Sequence, residues 1–126
     1  MAGHVTNIEE RTLRNEHFRE VIFTGPHIQL VLMTLQAGEE IGSERHDEHD
    51  QFIRVEEGNG EVVLGGERHA LTDGSAVVIP AGVQHNVVNL SGDRPLRLYT
   101  LYSPPQHEDR TVHHTKADAD AAEHRS

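Results

Sequence analysis

The chain has 126 residues, a formal charge of −10, 11 histidines and no cysteine. Its length is that of one domain, and its negative charge repels phosphate backbones and anionic lipid, which excludes nucleic acid and membrane surfaces as partners. Without cysteine there is no disulfide framework, thiolate nucleophile or cysteine-rich zinc site. Residues 1–10 lack the basic and apolar regions of a secretory signal, so we expect a soluble, cytoplasmic protein.

Short apolar runs separated by turn residues predict the secondary structure. Valine and isoleucine outnumber leucine and phenylalanine, which favours strands because branched Cβ groups fit a pleated surface. Strands are predicted at residues 18–23, 28–35, 51–56, 61–64, 67–71, 76–79, 84–90 and 96–102. In the third run Gln51, Ile53 and Val55 share one face, which we expect to face the core. Eight or more short strands with glycine turns are typical of an antiparallel sandwich or barrel.

Two segments place glycine, proline and metal-ligating residue types at regular spacings. In the first segment, five, one, four and six residues separate the successive positions Gly38, Glu44, His46, Gln51 and Gly58. In the second segment, five, one, two and three residues separate Gly74, Pro80, Gly82, His85 and Asn89. Together they resemble the two motifs of the cupin superfamily. The second matches at every defined position, whereas the first has Glu44 where a histidine is usual and Gln51 where a glutamate is usual.

The resemblance implies an all-β fold, the cupin double-stranded β-helix or jelly-roll barrel. The barrel would span residues 18–103, with short polar extensions at 1–17 and 104–126. It further implies a divalent metal ion inside the barrel, held at the positions of Glu44, His46, Gln51 and His85, and a homodimer joined through outer strands. It does not imply one reaction, because cupins include isomerases, dioxygenases, decarboxylases and non-catalytic binding proteins.

The residue chemistry of the four positions is consistent with a metal site. Glu44 and His46 are two residues apart and would share a strand face, and His85 shares its face with Val87. One carboxylate and two imidazoles suit Fe(II) or Mn(II), so we expect one divalent ion, with Mn or Fe favoured over Zn or Ni. Gln51 offers a neutral amide oxygen, either as a fourth ligand or as a group that supports the ligands.

Other histidines admit two interpretations each. On a strand, His46 and His49 would point to opposite faces, so we expect residues 46–50 to form a solvated acidic loop. His107 and His113 follow a proline pair that ends the last strand, and they either fold back over the barrel mouth or lie in an exposed tail. We expect the exposed tail, with a short helix beginning at Thr115 as the alternative.

The resemblance implies a metal-binding cupin, and by that resemblance we expect an enzyme that acts on a small oxygen-rich molecule. The metal would polarise a carbonyl or enediol, as in sugar isomerases. One alternative is a metal-dependent dioxygenase, and another is a non-catalytic small-molecule binding or sensor module. No catalytic side chain is predicted beyond the ligands, and the expected partners are a small molecule and a second copy of the chain.

Overall fold

The computed structural model describes residues 2–123, most of whose regular structure is β-strand. The strands are β1 (Arg19–Thr24), β2 (Gln29–Leu35), β3 (Asp50–Glu57), β4 (Gly60–Leu64), β5 (Glu67–Leu71), β6 (Ala76–Ile79), β7 (His85–Asn89), β8 (Leu96–Ser103) and β9 (Val112–His113). The helices are α1 (Ile8–Arg14) and α2 (Lys116–Glu123). Neither of these described helices is long and apolar enough to cross a membrane. All eight predicted strands are present, with bounds that differ by at most one residue.

The strands form two antiparallel sheets that face each other as a jelly-roll barrel. The larger sheet has the order β6-β3-β8-β2-β1-β9 and the smaller has the order β5-β4-β7. Isolated bridges between Glu40 and Val88 and between Glu44 and His85 extend the smaller sheet beside β7. The chain segment that carries the first motif therefore runs alongside the strand that carries the second.

The core lies between the two sheets and follows the alternation of the strands. Gln51, Ile53 and Val55 are buried, which confirms the predicted core face of β3. Gly58 directly follows β3 and has a φ of 120°. A Cβ there would lie 2.7 Å from the carbonyl oxygen of Pro95. No other residue type fits that backbone and that contact, so this motif glycine is a structural requirement.

Helix α1, which the sequence analysis did not predict, covers part of the outer face of the larger sheet. Its N-cap is Asn7, whose side chain accepts a hydrogen bond from the Glu10 N–H at 2.9 Å. After the helix, Asn15 exchanges two hydrogen bonds with the buried Thr34 hydroxyl, at 3.0 and 2.8 Å. The outer side of β2 around Thr34 is thus covered by the chain's own N-terminal segment.

The C-terminal segment also packs on the barrel, so the expectation of an exposed tail is wrong for His107 and His113, which are partly buried, although many side chains of residues 104–123 are exposed. Strand β9 pairs with β1, and α2 buries Ala119. The cause is the fully buried amide of Gln29, which donates to the His107 carbonyl at 2.7 Å and accepts from the Gln106 and His107 N–H groups at 3.1 and 2.9 Å. A buried amide requires such partners, and the returning backbone supplies them. The predicted helix after Thr115 is present; residues 124–126 of the tail lie outside the described residues.

Candidate metal centre

Three of the four predicted ligands come together inside the barrel. Glu44, His46 and His85 each offer one ligand atom, and these atoms lie within 4.8 Å of one another. The Glu44 carboxylate is 3.7 Å from His46 Nε2, and the two imidazole centroids are 5.4 Å apart. The prediction placed Glu44 on a strand, but the structure places it in an isolated bridge. In that bridge the Glu44 backbone exchanges two 2.8 Å hydrogen bonds with the backbone of His85. The bridge places the acid beside the histidine.

The hydrogen bonds of His85 leave one ring nitrogen available as a ligand. His85 Nδ1 lies 2.9 Å from the Val83 carbonyl oxygen, which can only accept, so Nδ1 carries the hydrogen and Nε2 carries the lone pair. That Nε2 is buried without a hydrogen-bond partner, and so is Nε2 of His46. Buried polar atoms are normally partnered, and an imidazole oriented by a carbonyl behind it is the usual arrangement of a metal-bound histidine. Both nitrogens therefore fit a metal ion.

Gln51, the fourth predicted ligand, is on the inner face of β3. Its amide nitrogen donates to the buried Thr100 hydroxyl at 3.0 Å, while its amide oxygen is buried without a hydrogen-bond partner. Gln51 is the cross-strand neighbour of Tyr102, whose ring is 5.9 Å from that of His46. A neutral oxygen held in this way is a suitable donor to a hard divalent ion.

Burial sets the electrostatics of the cluster. It raises the pKa of Glu44, against the lowering effects of the Arg19 and His85 charges. Burial also lowers the pKa of His46, together with the charges of His85 and His49. The lowered pKa of His46 favours its neutral imidazole, which is the form that binds metal, and the raised pKa of Glu44 makes its ionised form costly in this site.

The structure adds residues that the sequence analysis did not assign to the site. Tyr102 is buried and its ring is 5.2 Å from that of His107; burial raises the Tyr102 pKa and lowers the His107 pKa to about 3. Arg19 at the start of β1 is also buried. Tyr99 and Tyr102 are three residues apart on β8 and so lie on opposite faces, but alternation alone does not say which one faces inward. For Arg19, the signal in the sequence is that it shares a strand face with the apolar Val21.

His49 lies outside the cluster, although its ring is 6.1 Å from that of His46 and perpendicular to it. His49 Nδ1 is 2.6 Å from the Pro104 carbonyl oxygen, which ties the loop to the chain after β8. The neighbouring Asp47 is exposed and pairs with Arg45 at 2.8 Å. This agrees with the predicted solvated loop.

Residues 31–102 match the family model of the Cupin domain, Cupin_2. The chain belongs to the cupin family. Among curated relatives, the uncharacterized protein YrkC of Bacillus subtilis is 49% identical over 125 residues, which cover 94% of this chain and 67% of YrkC. The uncharacterized protein L612 of Acanthamoeba polyphaga mimivirus is 46% identical over 82% of this cupin and 67% of its own length.

Solved cupin-fold structures give the same result. BH2720 from Bacillus halodurans is 50% identical and superposes with a TM-score of 0.91, covering 94% of this chain and 93% of that chain. KdgF from Halomonas sp. is 31% identical with a TM-score of 0.65, over 70% of this chain and 78% of that chain. The mostly-β jelly-roll fold predicted from the sequence is thereby confirmed.

A cavity of about 350 Å³ lies beside the cluster of this cupin. Glu44 and Arg19 form its barrel side, and the returning C-terminal segment forms the rest. The lining residues from that segment are Gln106, His107, Glu108, Thr111, His113, Ala122 and Glu123. The cavity has the size of a small-ligand site and is lined mainly by polar side chains.

Proposed function

We propose that this cupin binds one divalent metal ion, Mn or Fe in preference to Zn or Ni, through Glu44, His46 and His85, with Gln51 as the fourth ligand. It uses that ion on a small oxygen-rich molecule in the manner of a sugar isomerase. The observation that carries the proposal is the pair of buried, unpartnered imidazole nitrogens beside a carboxylate. Nitrogen and oxygen donors without sulfur suit these ions.

An ion held there supplies a Lewis acid that polarises a carbonyl or enediol oxygen. The chain's own residues supply the surroundings. Burial holds Tyr102 as a neutral phenol, a hydrogen-bond donor, and His107 as a neutral imidazole whose buried Nε2 has no partner.

The direct test is metal analysis of the purified protein after reconstitution with Mn(II) or Fe(II). The wild type is expected to hold one ion per chain, and His46→Ala and His85→Ala to lose it. His69→Ala is the matched control because that side chain is about half exposed on β5, away from the cluster. Retention of metal by both cluster variants would refute the proposal.

Two alternative functions use the same site. A metal-dependent dioxygenase is favoured by the sulfur-free ligand set, which suits Fe(II), and it would consume oxygen when substrate is added. A non-catalytic binding or sensor module is favoured by Tyr102 and His107, because neither pKa lies near neutrality and neither group is set to transfer protons there. Bound metal and ligand without turnover would identify that module.

We also propose a homodimer, located in the cytoplasm as the sequence predicts. Apolar side chains form a row on the outer face of the larger sheet, in cross-strand register: Val78, Phe52, Leu101 and Leu30. Val78 is 68% exposed, so the row is open to a second copy. Light scattering should give twice the chain mass at micromolar concentration, and Phe52→Glu should reduce it to the chain mass.

A further inference from the structure

Arg19 is a buried cation on the wall of the cavity beside the candidate metal centre. It is 3% exposed, and its Nη1 lies 3.2 Å from His113 Nδ1 on the neighbouring strand. Its guanidinium carbon is 5.3 Å from the centroid of the Phe18 ring. Nε is buried without a hydrogen-bond partner. The guanidinium is therefore fixed at one end and keeps a donor that needs an acceptor.

The other largely buried arginine in residues 2–123 shows what such a group normally requires. Arg97, whose side chain is 15% exposed, lies between Glu57 and Glu16, with nitrogen–oxygen distances of 2.5 and 2.6 Å. The direct contacts described above for Arg19 are a histidine nitrogen and an aromatic ring, and neither carries negative charge; Glu44 acts on Arg19 only through its charge, with no ion pair between the two side chains among the described contacts. A buried guanidinium is costly without an anionic partner, and its planar fork of donors matches a carboxylate. Arg19 thus has the chemistry of an anion-binding residue.

The position of Arg19 connects it with the metal ligands. Arg19 and Glu44 line the same cavity, and the Arg19 charge acts on the pKa of Glu44, of His46 and of His107. A molecule in that cavity can therefore meet both the Arg19 guanidinium and Glu44, the member of the cluster that lines the cavity. The exposed carboxylate of Glu108 also lines the cavity and disfavours a second negative charge on that molecule.

We propose that the molecule bound at this centre carries one carboxylate, which Arg19 binds, and a neighbouring hydroxyl or carbonyl oxygen directed to the metal cluster. The substrate class is thus a small 2-hydroxy or 2-oxo carboxylic acid. The inference rests on the proposed function for the role of the metal, but the role of Arg19 is testable separately. Arg19 acts here as a binding residue that determines specificity.

The test compares each acid with its neutral amide, using lactate against lactamide and gluconate against gluconamide. Affinities are measured by titration calorimetry on the Mn(II)-loaded protein and on protein freed of metal with a chelator. Binding of the acid is expected to be about tenfold or more tighter than that of the amide, which is typical of a charge-assisted pair. Arg19→Gln should remove about tenfold of this preference without changing the metal content, and Arg19→Lys should restore part of it.

Arg110→Gln is the matched control, because Arg110 is 92% exposed on the same returning segment. It should leave the preference unchanged. If Arg19→Gln keeps the wild-type preference while metal binding is normal, the inference is wrong and the proposed function stands. If the wild type binds no metal, the proposed function fails, and the metal-free titration still decides the role of Arg19. Should the variants not fold, equal affinity of wild type for acid and amide would by itself overturn the inference.

Discussion

Replacing Gln29 by methionine is expected to release the C-terminal segment from the barrel. Gln29 is fully buried on β2 and makes hydrogen bonds to three backbone groups of residues 106 and 107, at 2.7, 3.1 and 2.9 Å, and to the Thr24 hydroxyl at 3.0 Å. Methionine has nearly the same length and volume, so the core should stay filled and the lost hydrogen bonds should dominate the effect.

The size of the effect follows from those bonds. Each contributes about 1 kcal/mol net, and the exposed part of the segment regains water when the contact is lost. We therefore expect a decrease of about 2–3 kcal/mol in the free energy of unfolding, measured by urea denaturation. Limited proteolysis should cleave the variant between residues 104 and 123 sooner than the wild type. Gln36→Met is the control, because Gln36 is exposed and its side chain takes no part in this contact.

The reasoning would be refuted by a loss of less than about half a kcal/mol together with unchanged proteolysis. That result would mean that β9 and α2 hold the segment on their own. A loss of stability without faster cleavage of the segment would also contradict the mechanism, because it would place the damage in the barrel.

Three further predictions concern single side chains. Burial lowers the pKa of His107 from 6.5 to about 3, so on acidification this imidazole is protonated in the unfolded chain at a higher pH than in the folded chain. The contribution of neutral His107 to stability is therefore intact above pH 6.5 and is lost as the pH falls towards 3. Denaturation midpoints at pH 7 and pH 5 should therefore differ less in His107→Asn than in the wild type. Glu44→Gln should raise the stability of metal-free protein, because burial raises the Glu44 pKa, and should weaken Mn(II) binding; calorimetry that shows wild-type affinity would contradict its role as a ligand. Asn89→Ala removes donors to the carbonyls of Leu35, Gln36 and Arg94 and should cost about 2 kcal/mol in chemical denaturation, whereas an unchanged midpoint would show that water replaces the amide.

The strands and the ligand cluster were accessible from sequence because both depend on local spacing. Alternation along β3 identified the face with Gln51, and the motif spacings selected Glu44, His46 and His85 from 11 histidines and 21 acids. What the pattern could not supply is the bridge between Glu44 and His85, since it joins segments some forty residues apart through the backbone.

The C-terminal segment was mispredicted for a related reason. Its composition is polar, which favours exposure, but its folded position depends on the Gln29 amide 78 residues away from His107. Likewise, the charge of Arg19 favours exposure although Arg19 shares a strand face with Val21, and its position beside His113 depends on the pairing of β1 with β9. Long-range polar contacts of single residues leave no periodic signal in a sequence.

The cavity lining and the candidate metal cluster come from different parts of the chain. Seven of its nine lining residues come from positions 106–123, whereas the candidate metal ligands all come from positions 44–85. Exchange of the last part of the chain between cupins of this kind would therefore replace most of the cavity lining and leave the Glu44, His46 and His85 cluster intact. A chimera that joins this barrel to the terminal segment of a relative would accordingly vary the cavity independently of the candidate centre.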